Sequence, residues 1–108
     1  MRKIETQMNE AITEGTDWGK DNTRVETTDG VSKVYLHGNK IAEVGDTFIR
    51  LFDGGRQSKT TKSRLNAILS EHGYSGESVF QSNFDWFVRL WTGNDFATVP
   101  FFSSMRLG

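Results

Sequence analysis

Residues 24–52, RVETTDGVSKVYLHGNKIAEVGDTFIRLF, decide the fold. Short β-branched and aromatic runs are cut at Asp29-Gly30, Gly38-Asn39 and Gly45-Asp46, dipeptides that supply the positive φ angles of tight hairpin turns. Three such turns join four strands into an antiparallel meander. Within it Val34 and Leu36 alternate with Lys33, Tyr35 and His37, so one face of the sheet is buried and the other meets solvent. Ile41 and Val44 break the alternation, which places a bulge or an early strand end near Val44.

Upstream, residues 2–14 place Ile4, Met8, Ala11 and Ile12 at helical spacing, a narrow apolar stripe on a polar helix that Gly15 can close. Between helix and meander, GTDWGKDNT at 15–23 reads as a loop with Trp18 as its apolar anchor. Downstream, Asp53-Gly54-Gly55 ends the meander, and Leu65, Ile68 and Leu69 mark a second helix from about Thr61 to His72. Thr60 or Thr61 is its expected N-cap, and Gly73 its expected left-handed C-terminal residue. The stretches VFQSNFDWFVRLW and FATVPFFSSMRL read as two further strands around Thr92-Gly93-Asn94-Asp95, with Pro100 pushing the last strand to a sheet edge. Phe80, Phe84, Phe87 and Trp91 also fit helical spacing, but the aromatic and valine content favours strand. The expected fold is a single α+β domain over 1–108: an antiparallel sheet of five or six strands with two amphipathic helices packed on one face.

Composition narrows the function. The 108 residues carry 13 Lys+Arg against 14 Asp+Glu, so no whole-protein field draws in nucleic acid or anionic lipid, and binding of that kind needs a local patch. With no cysteine there are no disulfides and no thiolate metal ligands. No stretch resembles a signal peptide or membrane span, so a soluble chain without membrane partners is expected. His37 and His72 are the only histidines, and neither lies in a nucleophile motif. His37 adjoins a turn, and His72 stands in a last helical turn where a cation complements the dipole. HExxH and paired CxxC motifs are absent, acidic residues are scattered, and GTDWGK at 15–20 lacks the spacing and the Ser/Thr of a phosphate-binding loop. Neither catalytic residues, cofactor nor structural metal is expected, and an enzyme ranks behind two binding readings.

The first binding reading rests on GGRQSKTTKSRLN. Arg56, Lys59, Lys62 and Arg64 stand together without an acid, and the first helical turn carries cations where the dipole prefers anions. With the hydroxyls of Thr60 and Thr61, free helix N–H groups and Gly54-Gly55 for close backbone approach, these are the parts of a nucleic-acid phosphate site, to which Asn66 can add an amide. The plainer alternative is a solvated face, with Lys62 or Arg64 paired to an acid such as Glu71 or Asp53. The second reading rests on the aromatic C-terminal hairpin. Most of its rings are needed for the core, because the first half of the chain is poor in large apolar groups. Strand neighbours such as Trp86-Phe87 and Phe101-Phe102 point to opposite faces, however, so a set including Phe84, Trp86 and Phe101 is left for a homodimer or another protein partner.

At VYLHGNKIAEVGD, TTKSRLNAIL and VFQSNFDWFV the chain resembles a family of small phage-encoded proteins of unknown function, with LHGNKIA and TTKSRLN its most specific segments. The resemblance covers roughly Thr23 to the C-terminus. It implies a phage origin and a host-cytoplasm setting, and no activity. The order of elements, with a basic N-terminus on helix two, also looks like the double-stranded RNA-binding module, from which the aromatic hairpin departs.

Overall fold

A computed structural model describes all 108 residues. Helix α1 (Lys3–Glu14) leads into β1 (Trp18–Lys20), β2 (Thr23–Thr28), β3 (Val31–Leu36), β4 (Asn39–Val44) and β5 (Ile49–Leu51). Helix α2 (Lys59–His72) follows, then β6 (Ser78–Ser82), β7 (Asp85–Trp91), β8 (Phe96–Pro100) and β9 (Met105–Leu107). The fold is α+β, with two antiparallel sheets: six strands in the order β1-β2-β3-β4-β5-β9, and three in the order β6-β7-β8. No helix is long and apolar enough to cross a membrane.

The meander forms as its turns dictate, with local differences. The β3–β4 turn uses His37 and Gly38, both at positive φ, and Asn39 already belongs to β4. The bulge falls at Ile41 instead of near Val44: Val34 pairs with Ala42 and Tyr35 with Lys40. Ile41 is the extra residue, and skipping it turns both Ile41 and Ala42 into the core. Trp18–Lys20 pairs with β2 instead of remaining a loop, because the hairpin at Asp21-Asn22 folds it against Thr23–Val25.

The aromatic C-terminus departs most from the sequence reading. Residues 79–91 are not one strand but two, turning at Asn83 and Phe84, both at positive φ. The resulting β6-β7-β8 sheet stands apart from the meander, and the sixth strand of the main sheet is β9, whose Met105 and Leu107 pair with Leu51 and Ile49. Pro100 ends β8, an edge strand, as proline's missing N–H requires.

One apolar core joins these parts. Met8 and Ile12 of α1, Leu65, Ile68 and Leu69 of α2, Val25, Val34 and Leu51 of the main sheet, and Val79, Trp86 and Val88 of the second sheet are buried in a single cluster. Helix α1 packs on β1, β2 and α2, and α2 reaches both β4 and β6, so α2 links the sheets.

Candidate interaction surface

The fold divides the basic segment, drawing Arg64 inward and leaving Arg56 and Lys59 at the surface. Ser58 is the N-cap of α2 in place of Thr60 or Thr61, accepting from the Thr61 N–H at 3.1 Å, and the two hydroxyls lie 2.9 Å apart. Thr61 is buried. Arg64 is only 3% exposed: Nη1 donates to Glu5 Oε2 at 2.8 Å, Nε to Thr23 Oγ1 at 3.0 Å and Nη2 to Asn22 Oδ1 at 3.3 Å. Its acid partner is therefore Glu5 of α1, not Glu71 or Asp53. Arg56 and Lys59 remain exposed, with Lys62 and Thr60 half-buried. Asn66 turns away from this end of α2 altogether.

His72 lies in the last turn of α2. It is half-buried, and burial, opposed by the Glu71 charge, holds its imidazole below the ordinary value. It therefore favours the neutral form and does not supply the expected cation at the α2 C-terminus.

The second sheet has two unlike faces, fixed by strand parity. Its inner face carries Val79, Trp86, Val88, Leu90 and Val99, all packed on the core. Its outer face is built in rows. Phe80, Phe87 and Pro100 are cross-strand partners, Ser78, Arg89 and Thr98 form the next row, and Trp91 pairs with Phe96. Phe80 and Phe87 stack with centroids 5.8 Å apart, Trp91 and Phe96 meet edge-on at 5.1 Å, and Tyr74 adds a tilted ring 6.3 Å from Trp91. Arg89 lies 3.7 Å from the Phe96 ring centroid and donates to the Gly76 carbonyl at 2.8 Å, which commits the one cation of this face. Tyr74, Phe80 and Pro100 are exposed, and Phe87, Trp91 and Phe96 are half-buried.

Of the residues expected at an interface, Trp86 is not on this surface: it is buried and meets Phe101 edge-to-face at 5.4 Å, and Phe101 packs on the core. Phe84 is 91% exposed at the β6–β7 turn with φ +71°, a conformation that a bulky side chain adopts only under strain. Phe80, Phe87, Trp91 and Phe96, within the aromatic hairpin but outside the set expected at an interface, form the face in their place. The signal was parity: once a turn is placed at Asn83-Phe84, every second residue from Phe87 falls outward.

The sheet edges differ in the same way. Strands β1 and β9 are three residues long, and Arg50 of β5 covers the Ser104 carbonyl beside β9 at 3.0 Å. On β6 the Asn66 amide imitates a neighbouring strand: Val79 N–H donates to Asn66 Oδ1 at 2.7 Å, and Asn66 Nδ2 donates to the Val79 carbonyl at 2.9 Å. Asn66→Ala leaves both groups of a buried residue unpaired and is expected to lower stability by about 2 kcal/mol in urea unfolding, with Asn66→Asp intermediate because it keeps only the acceptor. Past Val79, β6 turns only the Gln81 groups outward, whereas β8 is open along its length. The Phe101 N–H donates to the Trp86 carbonyl and the Thr92 N–H to the Asp95 carbonyl, so by alternation Val99 and Ala97 face β7, and Phe96, Thr98 and Pro100 direct their backbone groups outward.

These features define a small two-sheet α+β domain with one cation of its basic segment, Arg64, tied into the interior, and an open, aromatic second sheet. No curated protein and no solved structure matches the chain. The chain belongs to the Kyanoviridae Gp96 protein family, which it matches over residues 1–108, and so to a phage family whose name carries no activity.

Proposed function

We propose that this phage protein is a protein-interaction module that works in the host cytoplasm through the outer face of its second sheet. The observation that carries the reading is an outer face with two aromatic groups, Phe80, Phe87 and Pro100 on one side of the Ser78–Arg89–Thr98 row and Tyr74, Trp91 and Phe96 on the other, the Arg89 cation between them being already engaged. An apolar face of this extent beside an open edge favours a protein partner, since aromatic residues and Arg are enriched in interface cores. Phe84 supports it: a bare ring on a strained turn lowers the stability of the chain alone and gains contacts only from a partner.

The nucleic-acid reading has less to stand on. Salt-dependent phosphate binding needs several free cations on one surface, and with Arg64 paired to Glu5 the α2 end offers Arg56, Lys59 and Lys62 around a helix terminus already capped by Ser58.

The test is a photo-crosslinking amino acid placed at Phe87 or, separately, at Lys62, in infected host cells. The expected result is discrete protein adducts from position 87 and none from position 62. Adducts to nucleic acid from position 62, or no protein adduct from position 87, would overturn the reading.

A further inference from the structure

We infer that the partner is a second copy of the chain, joined edge to edge through β8 so that the outer face continues across a two-fold axis in one six-stranded sheet. The inference rests on the proposed interaction role and names its partner. The open edge runs FATVP, without the lysine or other charge by which edge strands ordinarily repel neighbours, whereas β1 and β9 are three residues long and β6 is covered at Val79.

An antiparallel pairing of two identical edges is self-complementary, and one register fits this strand. With Thr98 opposite the second copy's Thr98, each donates its outward N–H to the other's carbonyl. Phe96 then donates to the carbonyl of Pro100 across the axis. Pro100 has no N–H to lose, so the proline costs this register only the partner of the Phe96 carbonyl.

The side chains fall into line in the same register. The row Phe80–Phe87–Pro100 continues into Phe96 and Trp91 of the second copy, giving an unbroken apolar ladder, and its symmetry mate runs alongside. Between them lies the row Ser78–Arg89–Thr98 and its mate. On the inner face Ala97 stands opposite Val99, small against larger. The two Arg89 side chains sit three strand spacings apart, about 14 Å, beyond the roughly 10 Å Debye length at 0.1 M salt, so no like charges are forced together.

Sedimentation equilibrium across a concentration series tests the pairing. Wild type is expected to form a dimer whose association changes little with salt. Thr98→Lys and Thr98→Glu each oppose like charges across the axis and are expected to weaken self-association by more than about tenfold, while an equimolar mixture of the two restores a heterodimer. Because Thr98 is exposed and its N–H lies outside the intrachain ladder, both variants keep the wild-type circular dichroism and melt like dilute, monomeric wild type, without the concentration-dependent rise in melting temperature that a dimer gives. Restoration on mixing is the outcome that misfolding cannot imitate.

Wild type that stays monomeric throughout would overturn the inference. So would a dimer that survives both Thr98 variants. If that dimer is lost in Phe80→Ser/Phe87→Ser, copies meet face to face, so the interaction role stands and the edge pairing falls. A monomer whose position 87 crosslinks to a different protein likewise removes the second copy and keeps the role. Absence of any adduct from position 87 removes the role itself.

Discussion

Arg64→Ala is expected to cost about 3–5 kcal/mol, a large share of the 5–15 kcal/mol that holds a domain of this size together. The guanidinium and the Glu5 carboxylate are 3% and 2% exposed, bonded at 2.8 Å, and each finishes its hydrogen bonding locally. Arg64 also holds Thr23 and Asn22, and Glu5 also accepts from the Ser63 hydroxyl at 2.6 Å and the Arg2 N–H at 3.2 Å. Removing the cation leaves a carboxylate buried without its counter-charge. The fall in melting temperature should be about 12 °C or more, while Lys62→Ala, two residues away, stays within about 0.5 kcal/mol of wild type. Replacing both members, as in Glu5→Met/Arg64→Met, should recover most of the loss, because an apolar pair needs no desolvation of charge. Any activity lost in Arg64→Ala alone therefore reports on folding, not on contact with a phosphate.

The same pair sets the acid limb of stability. Burial raises the Glu5 pKa, but the hydrogen bonds from Ser63, Arg64 and the Arg2 N–H, with the Arg64 charge, outweigh it and hold the carboxyl below 4.5. The unfolded chain then binds the proton more readily than the folded one. The Glu5 contribution is present in full above pH 4.5 and is lost as pH falls through the lower folded value, a loss that Glu5→Met/Arg64→Met should abolish.

Trp86→Ala is expected to cost about 3–5 kcal/mol in urea unfolding, against a change within about 0.5 kcal/mol for Phe84→Ala two residues before it. Trp86 fills the space beneath the second sheet, with Phe101 edge-on against it and Val79 and Val88 in the same cluster. Removing the indole leaves a cavity at the junction of β7 with the core. Equal effects from the two substitutions would mean that the second sheet is not seated on its Trp86 face.

The parts of the fold carried by local pattern were legible in the chain. Ile4, Met8, Ala11 and Ile12 specify α1, Leu65, Ile68 and Leu69 specify α2, and the Asp-Gly and Gly-Asn dipeptides place the meander. What long-range pairing decides was not. Strand β9 exists because Met105 and Leu107 find β5, more than fifty residues earlier, and β1 exists because β2 lies beside it. The Asn83-Phe84 turn carries no local turn signal, because phenylalanine is a poor residue at positive φ, and without that turn the two faces of the second sheet are not legible.

The Glu5–Arg64 pair left a fainter trace. Glu5 precedes Met8 and Ile12 by three and seven residues, and Arg64 precedes Ala67 and Ile68 by three and four, so each charge lies on the buried stripe of its helix. Two opposite charges placed that way must meet or stay unpaired inside the core. The basic segment reads from its charge as a binding surface, yet one of its cations, Arg64, is an internal strut.

Residue-resolved hydrogen exchange of β8 across a dilution series tests the pairing most directly. Ala97 and Val99 amides, turned toward β7, should be protected throughout, while Phe96 and Thr98 amides, turned outward, should gain protection as concentration rises. Phe96 and Thr98 exchanging at unprotected rates at every concentration would contradict the account and leave the β8 edge open to solvent.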